Sequence, residues 1–272
     1  MATRDSYEPG TPSWVDYMAA DLETAKSFYG TLFGWDLDDQ FDPDGNHIYT
    51  NATKNGKMVA GLFTQPSELA DQGVPPMWNT YVAVADADAA AGAVTSAGGS
   101  VSMAPMDVMD QGRMATFLDP TGAAFGVWQA GRHKGAELVN EPGSLVWNEL
   151  VTPDITSASE FYARVFSWQA ADSPMGTDEY TVFHLEGTTP EQAIAGGMPP
   201  PMPQIPTHWG VYFGVQDTDA TLEAATGAGA RLMGEAQDSP FGRIAHLLDP
   251  QGGSFAIIGL GTGNGDANAN AT

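Results

Sequence analysis

Cysteine is absent from this 272-residue chain, so it builds no disulfide framework, no thiolate nucleophile and no sulfur-ligated zinc or iron–sulfur centre. Cations are scarce too: 10 lysines and arginines stand against 34 acidic residues, a formal charge of −24. A surface that negative repels phosphate backbones and anionic headgroups, which argues against nucleic acid and membranes as partners and leaves a small molecule as the expected one, with a homodimer also open. The same acidity would suit a salt-rich cytoplasm, which is a statement about solubility rather than about a site. No run of about 18 apolar residues occurs, and the segment from Met1 to Ser6 is polar. A cytoplasmic protein without secretory signal or membrane span is therefore expected. Also missing are a P-loop, a dinucleotide fingerprint and a nucleophile elbow, so no motif implies a cofactor.

What the chain does contain, it contains twice. Trp14-Val15-Asp16, Asp21-Leu22, Phe28-Tyr29 and Phe33-Gly34-Trp35 return as Trp147-Asn148-Glu149, Asp154-Ile155, Phe161-Tyr162 and Phe166-Ser167-Trp168, each 133 residues on. Trp78 and Tyr81 return as Trp209 and Tyr212 at an offset of 131, and Gly112-Arg113 and Asp119-Pro120 as Gly242-Arg243 and Asp249-Pro250 at 130. So small a drift belongs in loops, and each copy is expected to be a complete, separately folding unit. At about 130 residues a copy is large enough for its own core. The expected divisions are an N-terminal arm (1–11), a first domain (12–132), a linker (133–143), a second domain (144–260) and a disordered tail (261–272) with nothing to bury.

Each copy opens with a strand, 13–19 and 145–151, and then alternation stops at Asp21 and Asp154, which stand where a helix N-cap belongs. Behind the first, Leu22, Ala25, Tyr29 and Leu32 recur at helical spacing; Gly34 ends that helix, and Ser167 is a poorer stop in the second copy. Short β-type runs follow at 49–53, 57–63 and 180–185. Proline loops at 74–77 and 199–206 interrupt each copy, and the grammar restarts: a strand from Trp78 or Trp209, a helix start at Asp86 or Asp217, then two strands joined by Asp119-Pro120-Thr121-Gly122 or Asp249-Pro250-Gln251-Gly252. Each copy thus contains two β-α-β-β-β modules.

The helix signature from Asp21 to Trp35 and the Asp-Pro-x-Gly turn before the last strand resemble the vicinal oxygen chelate superfamily of glyoxalases, bleomycin-resistance proteins and extradiol dioxygenases. The resemblance extends over residues 12–260, and is nearest to the two-domain actinobacterial subgroup, which includes a mycobacterial antigen of about this size. It implies an α+β fold, a tandem duplication of a glyoxalase-like domain, each domain two βαβββ modules forming a curved eight-stranded cup. Metal-dependent members place His, Glu or Gln on the first strand of each module and Glu on the last. Counted from the Asp landmarks, those positions hold Trp14 and Trp147, Thr80 and Val211, and Gly126 and Ala256. Indole and aliphatic groups give no lone pair to a hard cation, so no metal is expected in either cup.

Because strand side chains alternate, Asp16 shares a face with Trp14, and Glu149 with Trp147. Trp78 with Thr80, and Trp209 with Val211, are expected to line the same cups. The indoles are either core or walls for a flat ligand. Asp16 and Glu149 are either general bases or ligand anchors made more basic by aromatic walls, or structural partners of Arg113 and Arg243; the arginines are in turn substrate-anion clamps or those partners. Met114 either lends an adaptable wall or fills a gap. His208, beside the second proline loop, is either at a pocket mouth or a solvated loop histidine. Three functions fit: a metal-independent binder of a small apolar or aromatic molecule, a cofactor-free lyase, isomerase or oxygenase using Asp16 or Glu149, and a metal-dependent glyoxalase or dioxygenase.

Overall fold

The computed structural model describes residues 2–173 and 180–261, so the expected tail beyond Gly261 lies outside the described residues. The first copy runs β1 (Ala2–Thr3), β2 (Pro12–Ala19), α1 (Leu22–Phe33), β3 (Asp36–Phe41), β4 (His47–Lys54), β5 (Lys57–Thr64), α2 (Ser67–Asp71), β6 (Met77–Ala83), α3 (Ala87–Ser96), β7 (Ser100–Val108), β8 (Gly112–Leu118) and β9 (Ala124–Ala130). A linker strand β10 (Leu138–Val139) leads to β11 (Leu145–Val151), α4 (Ile155–Phe166), β12 (Gln169–Asp172), β13 (Thr181–His184), a 3₁₀ turn (Pro190–Gln192), β14 (Ala195–Met198) and β15 (His208–Val215). The second copy closes with α5 (Thr218–Gly227), β16 (Arg231–Leu232), β17 (Gln237–Ser239), β18 (Gly242–Leu248) and β19 (Ser254–Gly259).

The cap residues act as expected. Asp21, Asp86, Asp154 and Asp217 each accept backbone N–H bonds from the first turn of the following helix. Gly34 and Ser167 both end their helices in the left-handed region, at φ 65° and 58°; serine tolerates there what glycine adopts freely. Among the described residues no helix is long and apolar enough to cross a membrane.

Each copy forms one curved sheet, in the order β3-β4-β5-β2-β6-β9-β8-β7 and, correspondingly, β12-β13-β14-β11-β15-β19-β18-β16. The first strands of the two modules, β2 with β6 and β11 with β15, pair antiparallel at the centre, and each is flanked by the parallel last strand of its own module. Pro105 sits in β7 where the register with β8 shifts; a proline is tolerated there because this strand is an edge.

The two copies, expected as separately folding units, share their main buried cores. A smaller buried cluster joins Trp14, Tyr81 and Trp128 of the first sheet to Ala136 and Val139 of the linker, but the two large clusters are shared between the copies. Tyr17, Phe28, Tyr29 and Trp78 of the first copy share one buried cluster with Phe213, Leu247, Phe255 and Ile257 of the second. Phe117, Phe125 and Val127 share another with Phe161, Tyr162, Trp168 and Trp209. The sheets therefore pack back to back, with the helices between and beside them, and α1 and α4 each complete the other copy's core. The repeated tryptophan after each of these helices fastens the exchange: Trp35 donates to the Gly143 carbonyl at 2.7 Å and Trp168 to that of Gly10 at 2.7 Å, so each holds the segment leading into the opposite copy.

Candidate functional site

With the backs of both sheets buried in this seam, the opposite faces are the cups. On β2, Val15, Tyr17 and Ala19 enter the shared core, which leaves Trp14, Asp16 and Met18 on the cup face. The same alternation on β11 puts Trp147 and Glu149 in the second cup. The sequence places all four of these correctly.

Each cup holds a hydrogen-bonded relay. In the first, Trp14 Nε1–H donates to Tyr49 Oη at 3.0 Å, Tyr49 donates to Asp16 Oδ2 at 3.1 Å, and Asn79 Nδ2 donates to Asp16 Oδ1 at 2.9 Å; Tyr81 gives the carboxylate a further bond. In the second, Trp147 Nε1–H donates to Tyr180 Oη at 2.9 Å, while Tyr180 and Tyr212 donate to Glu149 Oε2 and Oε1 at 2.7 and 2.5 Å. Each phenol needs space over its sheet. A Cβ at Gly61 would stand 1.9 Å from Tyr49 Oη, and one at Gly196 2.0 Å from Tyr180 Oη, which explains a glycine beside each carboxylate on the neighbouring strand.

Burial dominates the electrostatics. Asp16 and Glu149 are both 5% exposed, and desolvation raises Asp16 to about 6 against the lowering effect of its three hydrogen-bond donors. Glu149 is raised for the same reason, again against bonds from Tyr212 and Tyr180. Burial and the adjacent carboxylate hold Tyr49, Tyr81, Tyr180 and Tyr212 far above the ordinary phenol range, so these hydroxyls remain donors at any physiological pH.

Trp78, Thr80, Trp209 and Val211 do not line the cups. They project from the backs of β6 and β15 into the seam, where Thr80 Oγ1 accepts a 2.8 Å bond from Asn148 of the opposite sheet. Trp78 donates to Tyr29 Oη at 3.0 Å, and that phenol donates to Asp249 Oδ2 at 2.8 Å; Trp209, Tyr162 and Asp119 repeat the chain at 2.9 and 2.9 Å. The cup residues of the two strands are Asn79 and Tyr81, and Gly210 and Tyr212, one position away from the expected ones. Nor do the arginines meet the carboxylates. Arg113 binds Asp88 and Asp107, and Arg243 binds Asp219 and Asp238, tying a helix start to an edge strand. Both readings of these arginines, clamp and carboxylate partner, are corrected: each helix start supplies a nearer anion.

Met114 lies in the first cup, packed with Trp14, Tyr81 and Trp128. His208 is on β15 rather than in the loop, half-buried, with Nδ1 2.8 Å from the Pro206 carbonyl oxygen. Sequence reading missed the four tyrosines and His246, whose ring lies 5.5 Å from that of Tyr212 in the second cup. A signal was there: Tyr49 and Tyr180 are separated by 131 residues, the offset already seen for Tyr81 and Tyr212.

Residues 11–127 and 143–257 each match the Glyoxalase/Bleomycin resistance protein/Dioxygenase superfamily. The chain belongs to this superfamily. Among its members this chain is 45% identical over 260 residues to the Mycobacterium tuberculosis protein named "Putative glyoxylase CFP32", covering 95% of this chain and 98% of that one. It is 39% identical over 271 residues to the "Anthracycline biosynthesis protein DnrV" of Streptomyces peucetius, with coverages of 94% and 96%. The fold is also that of the Mn(II)-bound glyoxalase from Novosphingobium aromaticivorans, with a TM-score of 0.63 at 15% identity over 93% of this chain and 82% of the other. The 2,3-dioxygenase LapB of Pseudomonas sp. KL28 gives 0.60 at 13% identity, covering 91% of each.

A divalent ion is the group this superfamily fold implies, and the donor set of these cups does not fit one. Asp16 or Glu149 is the sole carboxylate of its relay, already engaged by phenols, and Trp14 or Trp147 occupies the neighbouring position on the same strand face. Among the described residues no three His, Cys, Asp or Glu side chains converge. The chemistry on offer is that of a desolvated carboxylate flanked by protonated phenols and an indole.

Proposed function

We propose that this protein binds a small aromatic or apolar molecule without a metal, with the second cup as its principal site. One observation carries the reading: Glu149 is a buried carboxylate with no ion-pair partner among the described residues, beside an indole, Trp147, that is only partly buried. A buried carboxylate with two donors has acceptor capacity left, and a ligand hydroxyl or amine would use it. The space over Gly196 on one side of Glu149 is taken by Tyr180, whereas Gly210 on the other side puts no side chain over the sheet and leaves space beside Glu149. The relative named for anthracycline biosynthesis supports a polycyclic aromatic ligand. Calorimetric titration with a hydroxylated anthraquinone should give one saturable event, weakened about tenfold in Glu149→Gln, the worth of one charge-assisted bond. Absence of saturable binding across a set of planar phenols would overturn the reading.

The raised carboxylates favour a second reading, a cofactor-free lyase, isomerase or oxygenase. Asp16 at about 6 changes protonation near neutral pH, as a general base must. Full turnover in both Asp16→Asn and Glu149→Gln would refute it.

A further inference from the structure

The chain has 10 cationic residues, and four of them, Arg4, Lys57, Arg132 and Lys134, line a single pocket of about 560 Å³. Among the described acidic residues only Asp5 and Glu137 do so. In a molecule of charge −24, positive charge has been gathered at one place. Three separate segments deliver it: the N-terminal arm with Arg4, the start of β5 with Lys57, and residues 132–134 with Arg132 and Lys134.

These segments are held by their backbones rather than by chance side-chain contact. β1 pairs with β10 through Ala2–Val139 and Thr3–Leu138, and Arg4 N–H donates to the Glu137 carbonyl at 2.9 Å. Glu137 is itself occupied, accepting from Met58 N–H at 3.0 Å, and Arg132 is met at the rim by Asp110, both residues well exposed. The wall on the cup side is His133. Its backbone carbonyl accepts from Trp128 Nε1–H at 2.9 Å and its ring stands edge-on to Trp14 at 4.3 Å. Its Nε2 is buried without a hydrogen-bond partner, and burial lowers the ring to about 4, so it is neutral at pH 7 and the positive potential comes from the lysines and arginines.

We infer that this pocket, at the mouth of the first cup, binds a small organic anion through its carboxylate or phosphate group. Long-range repulsion from the acidic surface makes such a ligand dependent on a local cationic focus, and here the focus is a half-open pocket. The site is separate from Glu149 and does not rest on the reading of the second cup.

The test uses the full chain and three probes, 1-naphthoate, phenyl phosphate and inorganic phosphate, with neutral 1-naphthalenemethanol as control, followed by calorimetry and by tryptophan fluorescence. At least one anion should bind saturably and more weakly as salt is raised, with affinity reduced about tenfold in Lys57→Ala/Lys134→Ala, two exposed changes outside the core. Arg164→Ala, a distant exposed cation, should leave it unchanged. Preference for naphthoate assigns the site to carboxylates, and preference for phenyl phosphate to phosphates. Binding of none of the three, equal affinity in the double variant, or loss in Glu149→Gln with retention in the double variant would each overturn the proposal; the last would leave the second-cup reading standing.

Discussion

The motif of an indole, a phenol and a carboxylate occurs twice in the cups and twice in the seam, and the two pairs differ in what else holds the acid. In the seam, Asp119 Oδ1 accepts from the backbone N–H groups of Thr121 and Ala123 and from the Thr121 hydroxyl, and Asp249 Oδ1 from those of Gln251 and Gly253. Those carboxylates are turn-formers whose second oxygen fastens the opposite copy through Tyr162 or Tyr29. In the cups, Asp16 and Glu149 accept, among the described residues, only from side chains. A carboxylate built into a turn serves the fold; one perched on a sheet face, reached only by phenols and an amide, is free to serve a ligand.

That contrast breaks if the two kinds of acid respond alike to substitution. Asp119→Ala orphans two backbone N–H groups and a phenol at once, and should cost about 3–5 kcal/mol in a urea titration; Glu149→Gln should cost less than about 1 kcal/mol in the same experiment. Equal losses would mean that the cup acids are structural too. Asp16 sharpens the point through pH. With its folded-state value raised to about 6, the native state holds a proton that the unfolded chain has already released. The stability associated with that proton is fully present below about pH 4 and is lost as pH rises through about 6, a change of at most about 3 kcal/mol. Asp16→Asn should remove this slope between pH 4 and 6. Smaller again, Tyr29→Phe leaves Trp78 Nε1–H and an Asp249 oxygen unpaired in the seam and should lose about 2 kcal/mol, against about 1 kcal/mol for Tyr180→Phe in the more open cup. The least effect belongs to Arg113→Ala: its partners are exposed, and ligand titrations should be indistinguishable from those of the parent chain.

Much of the fold could be read in the sequence because it is locally encoded. Caps at Asp21, Asp86, Asp154 and Asp217, and turns built on Asp119 and Asp249, depend on residues three or four positions apart. The faces of the middle strands were not legible, since counting back from a helix cap to Thr80 and Val211 misses by one residue, and one residue exchanges the two faces of a strand. The relay tyrosines were illegible for a different reason. Tyr49 reaches Asp16 across 33 positions, through a strand pairing that no local pattern announces. The arginines failed by competition, because Asp88 and Asp219 stand nearer than the cup acids. Back-to-back docking was hidden as well: the apolar face of α1 demands a partner without saying which copy provides it.

That exchange of helices sets the order of events during synthesis. When the first copy has left the ribosome, Tyr29, Phe33 and Trp78 still lack Phe213, Phe255 and Ile257, the last two of which end the shared core in chain order. At about 5–20 residues per second the nascent first half waits roughly 6–25 s with its aromatic back uncovered. The shared core, and with it the native packing of the first copy, can be completed only after the second half has been made.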